Sequence, residues 1–294
     1  MKILITGGNG FLGSHLTRYF LKKGFKIGLI LRESSRLDRV SDLMSEVEVG
    51  IGTSSTQISS FIEKFNPDVI VHTACSYGRH GETWSDLVEV NSLFGFRILD
   101  SIKYSSKDVS FINVGTALGK NASLYGLSKH MFSDYAKDLV KLVDNSHLKF
   151  INISLQHMYG VDDHDSKFPS YVINQCLSDT KYLDLTIGEQ QRDFIYIDDV
   201  TSAFYVLISR LQDIESGENI DIGSGLAPTI REFVEMVKEV TKASTTLNFG
   251  ALPYRDNESM LCQADIRKIT NLGWRAEFTI RQGILEIIQK GIKL

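Results

Sequence analysis

Leu4-Ile5-Thr6-Gly7-Gly8-Asn9-Gly10-Phe11-Leu12-Gly13 decides how this chain folds. The apolar run Ile3–Ile5 reads as a strand buried on both faces, and Ser14–Leu21 reads as a helix. Gly7 turns the chain sharply out of the strand. Gly10 removes the Cβ that would keep a phosphate away from the backbone, and Gly13 lets the helix pack closely on the sheet. The helix start, Phe11 and Leu12 included, then offers N–H groups and the positive end of its dipole to a pyrophosphate. A strand before and a helix after are the context in which a glycine triplet signals dinucleotide binding.

The alternation continues outward from this turn. Lys26–Leu31, Val47–Ile51, Asp68–His72, Val109–Val114 and Lys149–Ser154 read as strands. Helices are expected over Ile58–Phe65, Trp84–Tyr104 and Tyr125–Val143. Strands alternating with helices predict an α/β protein with a doubly wound parallel sheet. Right-handed crossovers then bring the C-terminal strand ends to one edge, where chemistry is to be sought.

Composition narrows the function classes. The net charge of -4 gives no basic field for nucleic acid, so no nucleic-acid partner is expected. Cys75, Cys176 and Cys262 are widely separated, which predicts neither a disulfide framework nor a metal centre, and points to a reducing compartment. Asp162-Asp163-His164-Asp165 is read as a solvated acidic loop rather than a metal cluster. The chain enters its first strand at once and has no apolar run of about 18 residues, so the expectation is a cytoplasmic protein without a membrane span.

The strand ends supply the candidate site. An NAD-preferring dinucleotide fold puts an acid about 20 residues past the glycines, on the ribose 2′-hydroxyl. Here the second strand is followed by Arg32-Glu33-Ser34-Ser35-Arg36. Arg32, Ser35 and Arg36 suit a 2′-phosphate, which favours NADP(H) and leaves NAD(H), with Glu33 on the ribose, as the alternative. After the fourth strand, Ala74 leaves room for the cofactor, and Tyr77 lies on a polar loop able to reach a substrate. His72 is read as a strand-end histidine bonded to backbone, and Cys75 as a small filler. Thr116 stands just past the fifth strand. Tyr125 and Lys129 follow, four residues apart on one helix face. A lysine ammonium there is expected to lower the tyrosine toward working pH and make it a proton donor or acceptor.

These pieces resemble the extended short-chain dehydrogenase/reductases of the nucleotide-sugar epimerase/dehydratase/reductase group, and the resemblance runs over nearly the whole chain. It rests on Thr6–Gly13, Thr116, Tyr125 with Lys129, and Arg192-Asp193-Phe194-Ile195-Tyr196-Ile197-Asp198-Asp199. The resemblance implies an NAD(P)-binding Rossmann fold in which Lys129 also binds the nicotinamide ribose and Asn91 supports the site from inside. It implies substrate contacts from His157, which stands where the family often has Asn, from Phe168 on a helix Phe168–Leu177, and from Arg192 and Arg255 on the diphosphate of a nucleoside-diphosphate sugar. The competing reading of Arg192 is a salt bridge to Asp193 or Asp198. The dinucleotide-binding domain is expected over 1–155 with about 188–226. A small C-terminal α/β substrate-binding lobe is expected over 156–187 and 227–294. Thr229 is expected to cap a helix from Ile230 to Val240, with Glu232 completing a capping box.

Thr116 is followed by Ala117-Leu118, without the acidic pair of the dehydratases. The strings Gly188–Phe194 and Phe249–Glu258 are similar to those of CDP-abequose and CDP-paratose synthases, which are C4 reductases. The expectation is therefore reduction of the C4 ketone of a nucleotide-linked deoxysugar in making a surface polysaccharide. An NAD-dependent 4-epimerase and a non-catalytic NADP(H)-binding regulator are the alternatives. By the same resemblance the two long helices form a four-helix homodimer interface.

Overall fold

The structure, a computed structural model, describes residues 1–79, 81–103, 105–143 and 147–291. The first half alternates as the hydrophobic pattern dictates. In order come β1 (Lys2–Thr6), α1 (Phe11–Lys22), β2 (Lys26–Leu31), β3 (Glu48–Ile51), α2 (Ser55–Phe65) and β4 (Val69–His72). They are followed by α3 (Trp84–Val88), α4 (Phe94–Ile102), β5 (Val109–Val114), α5 (Leu124–Leu142) and β6 (Leu148–Leu155). With the strand Glu218–Ile222 these form a seven-stranded sheet in the order Glu218–Ile222, β6, β5, β4, β1, β2, β3. The pairings of β1 with β2 and β4, of β2 with β3, and of β5 with β4 and β6 are all parallel.

This order reverses direction at β1, which lies between β2 and β4. Crossovers on either side of such a point leave the sheet in opposite directions and open a crevice at the carboxyl ends of the strands. Ile3, Leu4 and Ile5 are fully buried, as a strand covered on both faces requires. Beneath the crevice, Phe61, Phe65, Phe94, Phe111, Phe132 and Phe150 form an aromatic core.

Two departures from the expected elements have physical causes. First, α1 begins at Phe11, three residues before Ser14, because Gly10 serves as its N-cap without needing a side chain. Second, the expected helix Trp84–Tyr104 is not continuous. A π-helical turn, Glu89–Leu93, separates α3 from α4, and Tyr104 lies outside the described residues. The extra residue of a π turn re-aims side chains inside a helix, and here the turn holds the fully buried Asn91.

The chain divides into two compact units, Met1–Ser154 with Phe204–Ile220, and Leu155–Ala203 with Asp221–Leu294. Residues 188–203 and 221–226, expected in the dinucleotide-binding domain, thus belong to the second unit. The reason is local strand pairing: Gln191–Arg192 pairs with Leu261–Cys262, and Phe194–Tyr196 pairs with His157–Tyr159. The second unit is centred on Tyr159, Phe194 and Phe233, the last two stacked at 4.2 Å. The helix Phe168–Leu177 has the expected bounds. Thr229 caps Ile230–Thr241 through a complete capping box with Glu232.

Candidate active site

In the first unit, the glycine turn presses β1, α1 and β4 together. Gly7 has φ +67°, and a Cβ there would stand 2.8 Å from the backbone N and Cα of Ala74. A Cβ on Gly13 would stand 2.2 Å from the Gly7 carbonyl oxygen. The Ala74 N–H and the Thr73 hydroxyl donate to Thr6 Oγ1 (3.4 Å) and the Thr6 carbonyl (2.7 Å). The N-terminus of α1 has no side-chain cap, so its dipole and first-turn donors suit an anion such as a pyrophosphate.

The loop after β2 is fastened to this turn: Asn9 Nδ2 donates to the Arg36 carbonyl at 3.1 Å. Ser35 Oγ accepts from the Arg32 N–H at 3.0 Å, which leaves the exposed Arg32 at the strand end. The Arg36 guanidinium differs from expectation. It pairs with Asp38 at 2.8 Å, and both side chains are well exposed.

After β4 the chain is gripped by the π turn. The Ser76 N–H donates to Asn91 Oδ1 at 2.7 Å, and Asn91 Nδ2 donates to the Ser76 carbonyl at 2.9 Å and to Ser128 Oγ at 2.8 Å. Asn91 therefore ties the loop after β4 to α5. Tyr77, one residue on, stacks on Tyr125 with ring centroids 4.8 Å apart and planes 28° apart. The Arg79 guanidinium lies 5.3 Å from the Tyr77 ring centre. His80, next in that loop, lies outside the described residues.

Thr116, Tyr125 and Lys129 are brought together. Ser123 Oγ caps α5 by accepting from the Gly126 N–H at 3.1 Å, so Tyr125 and Lys129 sit in its first turns. The Thr116 hydroxyl shares a hydrogen bond with the Tyr125 phenol and accepts from the Leu118 N–H at 3.1 Å. Lys129 is 1% exposed, and its Nζ finds no hydrogen-bond partner among the described residues. Burial lowers the Lys129 ammonium, which weakens its hold on a proton, while the Cys75 thiol nearby opposes this. The expected lowering of Tyr125 is corrected. Burial, and after it the Cys75 and Tyr77 groups, pushes the phenol well above its ordinary value of 10, against the Thr116 hydrogen bond and the Arg79 charge. A buried phenolate costs more than those two groups return.

His72 is bland, but its partner differs from the one expected. One ring nitrogen, Nδ1, bonds the Thr6 hydroxyl at 2.7 Å instead of backbone. The ring packs among Phe94, Phe111 and Phe132. Burial, with the Lys129 charge, holds it at about 3, so it stays neutral.

In the second unit, Arg192 is 7% exposed and forms a salt bridge to Glu258 instead of Asp193 or Asp198. Its other guanidinium nitrogen, Nη1, donates to the Gln191 carbonyl at 2.7 Å. Sequence reading had no pointer to Glu258 as this partner, because the two lie 66 residues apart. Asp193 is fully buried and accepts from the backbone of Ser224, Gly225 and Ala264 and from the Ser224 hydroxyl. This fixes the backbone that carries Arg192. Arg255 is exposed and closes a turn in which the Glu258 N–H donates to the Arg255 carbonyl at 3.1 Å. His157 is held at about 4, first by burial and then by the Arg192 and Lys167 charges. Phe168 opens its helix and packs on Phe233 at 6.0 Å. In the acidic loop, Asp163 pairs with Lys167 at 2.9 Å and His164 Nδ1 bonds Ser166.

No helix among the described residues is long and apolar enough to cross a membrane. The chain is similar to CDP-abequose synthase of Salmonella muenchen, with 32% identity over 98% of this chain and 97% of the relative. A GDP-6-deoxy-D-talose 4-dehydrogenase of Aggregatibacter actinomycetemcomitans is 24% identical over 99% of this chain and 97% of the relative. The fold is that of the solved UDP-glucose 4-epimerase of Thermotoga maritima, with a TM-score of 0.84 at 20% identity over 98% of both chains. It is also that of the UDP-glucuronic acid 4-epimerase of Bacillus cereus, solved with NAD, with a TM-score of 0.82 at 24% identity over 98% and 99%. The model of the NAD dependent epimerase/dehydratase family matches residues 3–223. The glycine turn after β1 and the Thr116–Tyr125–Lys129 group thus lie in an enzyme that belongs to the NAD dependent epimerase/dehydratase family.

Proposed function

We propose that the enzyme reduces the C4 ketone of a nucleoside-diphosphate-linked 4-keto-deoxysugar with NADPH, in making a surface polysaccharide. One observation carries this reading: the half-buried Tyr125 stands beside the Thr116 hydroxyl, and burial pushes its phenol above the ordinary value, toward the protonated form. Reduction of a ketone ends with a proton delivered to oxygen, which a neutral phenol provides. An epimerase starts by removing a hydroxyl proton, which needs the phenolate. The similarity to CDP-abequose synthase over nearly the whole chain supports the same direction, and makes a CDP-linked 3,6-dideoxyhexose the first substrate to try.

The glycine turn and the start of α1 would hold the pyrophosphate of the cofactor, with Arg32 and Ser35 at the 2′-phosphate and Lys129 at the nicotinamide ribose. The helix start without a side-chain cap, and the Lys129 Nζ, which has no hydrogen-bond partner among the described residues, fit those roles. When bound, the reduced nicotinamide supplies the hydride. Tyr125 gives its proton to the C4 oxygen, Thr116 hydrogen-bonds that oxygen, and Lys129 stabilises the phenolate left behind. Arg192 and Arg255 would bind the diphosphate, with Glu258 setting the direction of the Arg192 guanidinium.

Tyr125→Phe keeps the ring and removes the proton. We expect kcat to fall by roughly a hundredfold or more with KM little changed; unchanged turnover would remove Tyr125 from the mechanism.

The enzyme would act as a homodimer. Leu124, Leu127, Met131 and Tyr135 form an exposed apolar stripe on α5 at helical spacing, with Trp84 exposed on α3. A second copy of the same helices fits such a stripe as a four-helix interface.

A further inference from the structure

The loop that leaves β2 is held at two places by the glycine turn and α1. Its first residues close a tight turn: the Ser35 N–H donates to the Arg32 carbonyl at 2.9 Å, and the Arg32 N–H donates to Ser35 Oγ at 3.0 Å. Asn9, between Gly8 and Gly10, then holds the next residue by its backbone, donating from Nδ2 to the Arg36 carbonyl at 3.1 Å. Farther along, Arg18 of α1 donates from Nη2 to Asp42 Oδ1 at 2.7 Å and to the Arg39 carbonyl at 2.9 Å. Val40, fully buried, pins that end of the loop to the core. The Arg36 side chain is engaged elsewhere, with Nε donating to Asp38 Oδ2 at 3.0 Å.

We propose that Asn9 is a positioning residue for coenzyme choice: by holding the Arg36 carbonyl it fixes the Arg32–Ser35 turn where a 2′-phosphate has to be met. The proposal rests on the reading of NADPH as the coenzyme. In that coenzyme the ribose sets how far the 2′-phosphate stands from the pyrophosphate. A protein that grips the pyrophosphate at its glycine turn meets the 2′-phosphate only if the loop after β2 stands at the matching place. A loop already ordered there loses less conformational freedom on binding. Asn9 belongs to the glycine turn and bonds the loop, so it links the two grips directly. The part of Arg36 that matters is then its backbone. Its guanidinium charge is met by Asp38, and Arg32, exposed at the end of β2, brings the cation.

The test needs no turnover. Two fragments of the coenzyme, 2′,5′-ADP and 5′-AMP, are titrated by calorimetry into the unaltered protein, Asn9→Ala and Arg36→Ala. The unaltered protein should bind 2′,5′-ADP about tenfold or more tightly than 5′-AMP, as a charge-assisted contact to the extra phosphate provides. In Asn9→Ala the affinity for 2′,5′-ADP should fall about fivefold, the scale of one hydrogen bond, with 5′-AMP little changed. Arg36→Ala keeps the carbonyl that Asn9 holds, and should keep the preference. An equal loss for both nucleotides in Asn9→Ala marks a general structural role and overturns the proposal, as does a fall in Arg36→Ala as large as that in Asn9→Ala. If the unaltered protein prefers 2′,5′-ADP and Asn9→Ala retains that preference in full, the coenzyme reading stands and the positioning role alone fails. If the unaltered protein has no such preference, the NADPH reading fails and the positioning role falls with it.

Discussion

His157 shows how much of a side chain's chemistry is set by its surroundings. Isolated, it would gain a proton near pH 6.5. Buried beside the Arg192 and Lys167 charges, it is held at about 4. Its Nδ1 is enclosed without a hydrogen-bond partner among the described residues. The lowered value means that the unfolded chain takes up this proton first as the pH falls. Stability is therefore full above about pH 6.5 and is lost as the pH drops toward 4. Between pH 7 and 4.5 the loss due to this histidine is about 2 to 3 kcal/mol. Urea unfolding of the protein and of His157→Asn at both pH values should show a shallower loss in the variant by that amount, and equal losses would refute the argument. The placement of the candidate residues was legible in the chain: the glycines and Thr116 follow strand ends, and Tyr125 and Lys129 stand one helical turn apart on α5. The direction in which Tyr125 moves was not. It follows from burial first and then from the Cys75 and Tyr77 groups, which reach Tyr125 from the loop after β4, and spacing along one helix does not reveal them.

At the scale of elements, local signals read well where they are local. The capping box of Thr229 with Glu232 and the bounds of Phe168–Leu177 follow from neighbouring residues. The π turn at Glu89–Leu93 does not, because its cause lies elsewhere. It places Asn91, fully buried, to meet Ser76 on one side and Ser128 on the other. In a regular helix an asparagine at an inward position would count against the helix. In this fold it is the clasp between the loop after β4 and α5. Asn91→Ala breaks three hydrogen bonds and leaves the Ser76 N–H without its acceptor. The expected cost is about 2 to 3 kcal/mol in unfolding free energy. A cost below about 0.5 kcal/mol, the range of ordinary surface changes, would show that the clasp carries no strain of the fold. The strands of the second unit were also hard to read. Pairs as short as Gln191–Arg192 with Leu261–Cys262 have no periodicity to detect, yet they decide which unit carries Arg192.

At the scale of the whole molecule, the exposed stripe of α5 makes the oligomeric state testable. Sedimentation equilibrium should give twice the chain mass, and Leu127→Glu with Met131→Glu should give the chain mass alone. A monomeric unaltered protein at micromolar concentration would refute the four-helix interface. The larger question is whether the reducing equivalents are consumed or returned. A cofactor that is spent must be rebound in each cycle, and the Arg32 end of β2 suits the phosphate-bearing form. The most direct measurement follows absorbance at 340 nm when purified enzyme, NADPH and a CDP-linked 4-keto-3,6-dideoxyhexose are mixed, with NADH in parallel and the sugar product identified by NMR. The account predicts one NADPH consumed for each C4 alcohol formed, and a kcat/KM for NADPH above that for NADH. Conversion of a CDP-linked 4-hydroxy sugar to its C4 epimer by enzyme with bound NAD, with no NADPH consumed on the ketone, would contradict it.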